Sequence, residues 1–192
     1  MSSSPAKRHQ HTVEAMMFTL RESIAINAPL ERCFALSTRI ELVRTTLGMK
    51  PVAGVTSGHV GAGSRVVWRG WKFGLPTEHH TLISELKEPH EYELPARRPG
   101  EAPVRYKSAV FVDRQEQGRF ARFSHEHDFR QEYGEDTILR DRVEFSLPFG
   151  WAGKLVGQWI VAPHAQRLMR ERFALIKRLA EGDGWREYVD AP

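Results

Sequence analysis

The sequence predicts a single α+β domain in which a curved antiparallel sheet of about six to seven strands wraps around a long C-terminal helix. Runs of alternating apolar and polar residues fill the chain from about residue 65 to 147, and their connections are too short for helical crossovers. Two short helical patterns follow the first strand. Beyond Pro148, apolar residues recur at spacings of three and four, which is typical of an amphipathic helix.

A β-prone run predicts the first strand at 15–26, and Pro29 and Gly48 are suited to the start and end of the helical stretch that follows. The glycine-rich residues 53–64 lead into a strand, so we interpret them as turns and not as a phosphate-binding loop. The predicted ranges are helices at 29–37 and 39–47, and strands at 65–72, 77–86, 106–115, 119–130 and 136–147.

The final helix is predicted to run to about residue 181, and Pro163 should kink it or divide it. Its inward stripe is predicted to contain Leu155, Trp159, Ala162, Met169, Phe173 and Ile176. The segment 93–104 contains three prolines and a glycine, which predict an extended loop.

Length and composition set the domain limits and exclude several classes of protein. Residues 15–182 are predicted to form the domain, residues 1–14 a disordered tail and residues 183–192 a C-terminal tail. The net charge is +4, but basic residues alternate with acidic ones, so no nucleic-acid partner is expected. The single cysteine, Cys33, is predicted to be a core residue and fits a reducing compartment.

No apolar run approaches the roughly 20 residues of a transmembrane helix, and the first residues lack the pattern of a signal peptide. We therefore expect a cytoplasmic monomer or homodimer.

Two predicted hairpins share one turn chemistry. Glu116–Gly118 and Glu132–Gly134 each offer three residues with glycine last, which suits a three-residue hairpin loop. In this register Asp113 lies opposite Ala121 and Phe111 opposite Phe123. Across the second hairpin, His125 lies opposite Asp141 and Phe123 opposite Val143.

Strand alternation then places odd-numbered residues of three strands on one, mostly apolar face. They are Phe111, Asp113, Gln115, Ala121, Phe123, His125, His127, Phe129, Leu139, Asp141, Val143, Phe145 and Leu147. Among them are the polar groups His125, His127 and Asp141, which would cost a few kcal/mol to bury without partners.

Three interpretations of these polar groups remain open. A His125–Asp141 pair could simply fasten two strands, or the groups could line a wet cavity. Metal binding is the third, because His-x-His on a strand places two imidazoles on one face and His79 or His80 could add another. Since no fixed ligand spacing appears, we predict no metal and no cofactor.

Acid–base chemistry is a further hypothesis. Asp141 would raise the basicity of His125, which could then act as a general base near neutral pH. A serine nucleophile is not supported, because Ser124 points to the opposite face and no nucleophile elbow is present.

Several stretches together resemble the START-like, SRPBCC superfamily, the helix-grip fold of pollen allergens, lipid-transfer domains and polyketide cyclase/dehydrases. They are Gly61–Gly74, His79–Ile83, Phe111–Gln115, Gly118–Phe129 and Thr137–Gly150. The resemblance covers about residues 16–180 and is nearest to bacterial ligand-binding SRPBCC proteins labelled cyclase/dehydrase. The sequence departs from that pattern around 91–108, where the loop is expected at the cavity mouth.

The resemblance implies a cavity between sheet and helix for a small hydrophobic, lipid-like or aromatic ligand. The predicted site residues are Trp68, Phe111, Asp113, Gln115, Phe123, His125, His127, Asp141 and Phe145. One alternative is a cyclase/dehydrase-type enzyme that uses His125 and Asp141 in proton transfer on polyketide-like or aromatic substrates. Another is an interaction protein with a filled cavity.

Overall fold

The computed structural model describes residues 16–96, 98, 100 and 102–189. Its sheet has seven strands in the order β1-β7-β6-β5-β4-β3-β2, and every neighbouring pair is antiparallel. The strands are β1 Phe18–Ile26, β2 Lys50–Gly54, β3 Arg65–Lys72, β4 Leu75–Leu94, β5 Val104–Gln117, β6 Arg122–Glu132 and β7 Thr137–Ser146. The predicted fold class is confirmed.

Two short helices follow β1, and a helical run of 32 residues follows β7. The helices are α1 Leu30–Thr38, α2 Ile40–Leu47, α3 Gly150–Val156, α4 Ala162–Glu181 and α5 Arg186–Val189. A turn of π-helix, Gly157–Val161, joins α3 to α4. None of the helices in the described residues combines the length and apolarity needed to cross a membrane.

The main core lies between the inner face of the sheet and helices α1 and α4. Its buried residues include Ile26, Leu30, Cys33, Phe34, Leu36, Ala109, Phe111, Phe129, Leu139, Phe173, Ile176 and Ala180. Strand alternation explains which residues of β5 to β7 contribute, because Phe111, Phe129 and Leu139 are odd-numbered as predicted.

The first predicted hairpin register is wrong. Asp113 lies opposite His125 and not Ala121, and Phe111 lies opposite His127. The Gln115 side chain explains the difference, since its amide nitrogen donates to the Phe120 carbonyl oxygen at 2.9 Å and its oxygen accepts from the Phe120 N–H at 3.3 Å. A side chain therefore closes the turn, and Ala121 is exposed within it.

The second predicted register is also wrong, by two residues. His127 lies opposite Asp141, and Phe123 lies opposite Phe145. The strands end at Glu132 and resume at Thr137, so the loop is longer than the predicted three residues. Because both register errors are even-numbered, every side chain in these strands keeps its predicted face.

β4 and β5 form a long hairpin on either side of the loop predicted at 93–104, of which residues 97, 99 and 101 lie outside the described residues. β4 and β5 pair as far as Leu94 and Val104. Val104 lies nine residues before Asp113 on β5, which is about 30 Å along a strand. The described ends of the loop therefore lie far along the strands from Asp113, and its place at a cavity mouth stays a prediction.

The side of the long helical run that is buried changes at the π turn. Leu155 and Trp159 were predicted to point inward but are exposed, whereas Gly153 and Gly157 are buried. A π turn contains one extra residue and so rotates the preceding helix relative to α4. It lies just before Pro163, where a regular turn would force the proline ring against a backbone carbonyl. The run is therefore widened at this point and not divided.

Residues beyond the predicted domain end also contact the core. Trp185, Tyr188 and Val189 pack against the main core, and the Arg32 guanidinium lies 4.3 Å from the Trp185 ring centroid. A cation–π contact and apolar burial thus hold residues that carry no strong helical signal in the sequence. The predicted tail at 1–14 lies outside the described residues.

Candidate functional site

Three adjacent strands bring four polar side chains together on the inner face of the sheet. His125 and His127 alternate on β6 and therefore point the same way. Asp113 on β5 is directly opposite His125, and Asp141 on β7 is directly opposite His127. The predicted inward parity of these residues is confirmed by their burial.

The two aspartates divide the imidazole nitrogens between them. Asp141 Oδ2 lies 3.1 Å from His125 Nε2, and Asp141 Oδ1 lies 2.9 Å from His127 Nδ1. Asp113 Oδ2 lies 3.2 Å from His127 Nε2 and 3.8 Å from His125 Nδ1. Each carboxylate thus faces both histidines, from opposite sides of their rings.

Helix α4 supplies a fifth member that the sequence analysis missed. Arg172 Nη1 donates to Asp141 Oδ2 at 2.8 Å and lies 3.0 Å from His127 Nδ1. A signal for this residue exists, because Arg172 lies three residues after Met169 and four before Ile176, on the same buried stripe. A charged residue on that stripe needs a buried counter-charge, which Asp141 provides.

The electrostatics of the cluster favour charged carboxylates. Burial alone would raise the pKa of Asp141, but the neighbouring His127 and Arg172 outweigh it and hold that pKa well below its ordinary value. Burial also acts to raise the pKa of Asp113, yet the hydrogen bond from His127 and the charge of His125 lower it.

His125 behaves differently from the sequence-based expectation. Its pKa is lowered, because burial and the nearby His127 outweigh the attraction of Asp141. The prediction that Asp141 makes His125 more basic is therefore wrong for the net effect. Because its pKa is lowered, the His125 imidazole is neutral at neutral pH.

Exposure falls from the outer to the inner members of the cluster. The side chain of Asp113 is 19% exposed and that of His125 is 15% exposed, whereas His127 is 3% and Asp141 is 0% exposed. Asp113 is close enough to His79 for their charges to interact, and His125 follows Phe123 on the same face of β6. His79 is 5.5 Å from Phe123, and Phe123 is 5.1 Å from Phe120. We call Phe120, Phe123 and His79 the aromatic recess.

Comparison with known proteins gives matches among solved structures only. No protein-family model and no curated protein matches the chain. The protein TTHA0849 from Thermus thermophilus is 16% identical with a TM-score of 0.53, over 83% of this chain and 94% of that one.

Two plant proteins match at similar levels. The ginseng major latex-like protein 151 from Panax ginseng is 11% identical with a TM-score of 0.51, over 86% of this chain and 99% of that one. Norcoclaurine synthase from Thalictrum flavum, a point mutant in complex with a transition-state analogue, is 11% identical with a TM-score of 0.52, over 88% and 96%. The chain has the START-like helix-grip fold.

In this helix-grip fold, three of the predicted lining residues are packed against the protein itself. Phe111 stacks on His127 with ring centroids 4.1 Å apart, and Phe145 stacks on Phe18 at 5.0 Å. Trp68 belongs to a separate cluster under α2, and its indole N–H donates to the Thr81 hydroxyl at 3.2 Å. The remaining predicted residues, Asp113, Gln115, Phe123, His125, His127 and Asp141, lie in or beside the polar cluster.

Two concavities lie elsewhere on the described residues, although Asp141 also borders the second of them. One, of about 210 Å³, lies beside Pro29 and Tyr133 at the far end of the sheet. The other, of about 480 Å³, lies on the outer face of β1, β6 and β7 among Arg21, Arg140 and Glu126. Arg172 and His127 fill the middle of the space between the sheet and α4.

Proposed function

We propose that the protein binds a small, largely apolar ligand at the aromatic recess, with the ligand's polar group on His125 and Asp113. The observation that carries this proposal is the gradient of exposure across the cluster. The outer polar pair reaches solvent, while its inner partners are buried and fixed by hydrogen bonds. Small-molecule sites typically combine apolar walls with a few polar groups held in place.

The aromatic recess supplies the apolar wall. Phe120, Phe123 and His79 are partly buried, so their remaining exposed surface is the apolar area that a ligand could cover. Burial lowers the pKa of His79, which makes its ring a neutral wall at neutral pH. Each 100 Å² of apolar surface covered would contribute about 2.5 kcal/mol.

The structural comparisons support ligand binding in a general way. The norcoclaurine synthase with this fold was solved with a transition-state analogue bound. A helix-grip protein can therefore hold an organic molecule, and the extension to this chain is part of our proposal. The residues of the aromatic recess would decide which ligand binds, because 11% identity to norcoclaurine synthase does not carry its ligand over to this chain.

Native mass spectrometry of the purified full chain tests this function first. We expect a co-purifying small molecule, or saturable binding of 1-anilinonaphthalene-8-sulfonate by the stripped protein. Replacing Phe123→Ala should weaken probe binding at least fivefold, because it removes part of the wall. Tyr133→Ala is the matched control, since Tyr133 is 76% exposed at the other end of the sheet. Equal affinity of both variants would contradict the proposal.

Proton transfer is the second candidate function, of cyclase/dehydrase type. It is favoured by the 3.1 Å contact that orients His125 on Asp141 while the imidazole stays partly open. A neutral, oriented imidazole can accept a proton from a bound aromatic or polyketide-like substrate. His125→Gln should then lower turnover at least a hundredfold with little change in KM. Unchanged turnover would remove this candidate.

A further inference from the structure

We propose that Asp113, His125 and His127 form a binding site for one divalent transition-metal ion, which the spacing in the sequence did not predict. One ligand atom from each of the three residues lies within 4.8 Å of the other two. Two imidazoles and one carboxylate, with other positions open, are a ligand set that proteins use for Zn²⁺ and Fe²⁺.

The contact distances suit a shared ion. Ligand atoms about 2.1 Å from a metal lie roughly 3.0 to 3.5 Å from one another in octahedral or tetrahedral geometry. Asp113 Oδ2 lies 3.2 Å from His127 Nε2 and 3.8 Å from His125 Nδ1. An ion among these atoms would replace the direct Asp113 contacts with metal bonds at little cost in backbone movement.

Asp141 provides a second and independent observation. It holds the other nitrogen of each imidazole, His125 Nε2 and His127 Nδ1. Histidines that bind metals usually donate their remaining N–H to a carboxylate, which fixes the ring and its tautomer. A single buried carboxylate serving both rings leaves both free nitrogens directed toward Asp113.

Arg172 sets the charge balance of the site. Two carboxylates and one guanidinium give a net charge of −1 when both imidazoles are neutral. Arg172 Nη1 also lies 3.0 Å from His127 Nδ1, so without metal the ring can accept a hydrogen bond from Arg172 there. Metal at Nε2 selects the tautomer in which Nδ1 donates to Asp141.

The open side of the site gives the ion an entry path. His125 and Asp113 are the exposed members of the cluster, so water or a ligand's polar group could complete the coordination. The metal inference does not depend on the proposed apolar ligand, because metal binding is measured with no organic molecule present.

Cobalt and zinc titrations of the chelator-stripped full chain test the inference. We expect one Zn²⁺ per chain by calorimetry, and with Co²⁺ visible absorption bands typical of a nitrogen- and oxygen-ligated ion. Asp113→Asn and His125→Gln should each weaken binding at least tenfold. Asp141→Asn should weaken it about 10- to 100-fold although it removes no ligand atom.

Two controls separate this site from other histidines. His80→Gln removes an imidazole paired with Glu78 at 2.8 Å on β4, outside the cluster, and should leave affinity unchanged. The sequence also contains His9 and His11, so the titrations are repeated with both replaced by glutamine. Binding that survives in Asp113→Asn, or that disappears with His9 and His11, overturns the inference. Circular dichroism confirms that each variant is folded.

A second inference rests on a different surface, the outer side of α3 and the π turn. We infer that this surface docks on a lipid bilayer that contains anionic headgroups. The helix is inverted relative to an ordinary surface helix, since Gly153 and Gly157 face the protein and apolar side chains face outward. The exposed set is Phe149, Trp151, Leu155, Val156, Trp159 and Ile160.

The inverted packing follows from close contacts on the inner side. A Cβ at Gly157 would overlap the Phe18 ring, and a Cβ at Gly153 would overlap the Pro148 carbonyl oxygen. Trp151 is 78% exposed and Trp159 is 71% exposed. Phe73, at the β3–β4 turn, extends the surface by contacting His164 with ring centroids 5.0 Å apart.

Residue chemistry favours a lipid surface. Tryptophan is enriched where proteins meet the headgroup region, and basic residues beside it attract anionic lipids. Among the basic residues from Phe145 to Arg170, Arg167 pairs with Glu171 at 3.0 Å and Arg170 with Glu22 at 2.8 Å, so Lys154 is the cation that the described residues leave for an anionic headgroup.

Sedimentation with vesicles tests the docking. The full chain should pellet with vesicles of 70% phosphatidylcholine and 30% phosphatidylserine, and at least threefold less with pure phosphatidylcholine. The Trp151→Ser, Trp159→Ser double variant should reduce pelleting at least fivefold, whereas Tyr133→Ser should not. Failure to pellet, or a dimer in ultracentrifugation that the tryptophan changes abolish, would overturn the docking.

Discussion

The core between the sheet and α4 has two adjoining parts that are stabilised in different ways. One part is apolar, and there Phe34 meets Phe129 edge-on with ring centroids 5.6 Å apart. The other is the polar cluster, where Arg172 and His127 meet Asp141. Phe111 forms the border, because its ring stacks on His127 at 4.1 Å and lies 6.1 Å from Phe129.

Two buried acids show how the parts differ. Burial in the apolar part raises the pKa of the Cys33 thiol to about 12. In the polar part, neighbouring positive charges overcome burial and hold the pKa of Asp141 well below its ordinary value. A residue in the apolar part therefore depends on exclusion of water, and a residue in the polar part depends on its partners.

The largest expected effect is on the apolar part. Phe129→Ala should lower the free energy of unfolding by about 3–5 kcal/mol, because Phe129 is fully buried and leaves a cavity. Urea denaturation followed by circular dichroism measures it. A loss below about 1 kcal/mol would mean that this part repacks freely, and the contrast between the two parts would weaken.

The next effect breaks the polar part. Asp141→Asn should cost about 3 kcal/mol, because the buried Arg172 guanidinium loses its charged partner. Adding Arg172→Met to that variant should cost less than Arg172→Met alone, which a double-mutant cycle in the presence of a chelator measures. Additive losses would show that the two side chains do not stabilise each other.

A smaller effect is expected at alkaline pH in the apolar part. The Cys33 pKa is raised from its ordinary 9.0, so the thiol's contribution is complete below that pH and falls as pH rises toward 12. At pH 10 the folded protein should lose about 1 kcal/mol relative to the Cys33→Ala variant. Parallel pH dependence of the two proteins would contradict the burial of this thiol.

The smallest effect separates stability from surface function. Trp159→Ser should change the free energy of unfolding by less than about 0.5 kcal/mol, because the ring is 71% exposed. Thermal unfolding measures it without vesicles. A loss of several kcal/mol would show that the ring supports the core, and the vesicle results would need another explanation.

Strand parity was predictable from the sequence, whereas register was not. Alternation alone places His125, His127 and Asp141 inward, and it survives an even-numbered slip. The actual pairing depends on the Gln115 side chain, which substitutes for a backbone partner at the turn. No turn rule based on glycine position includes such a contact.

The site itself was predicted in part. Asp113, His125 and Asp141 follow from alternation, whereas Arg172 was not predicted as a site residue although it lies on the buried stripe of α4. Trp68, Phe111 and Phe145 were predicted to line a cavity, and they pack against the protein because apolar side chains fill core and ligand walls equally well.

The π turn before Pro163 contains one extra residue. Which side chains of α3 face the solvent therefore depends on how many residues the turn contains, as well as on their types. Deleting one residue between 157 and 161 would rotate α3 by about 100° about its axis. Trp151, which is 78% exposed on α3, would then point in a different direction relative to α4 and to Trp159. Chain length at this point therefore decides which side of the helix the protein shows to its surroundings.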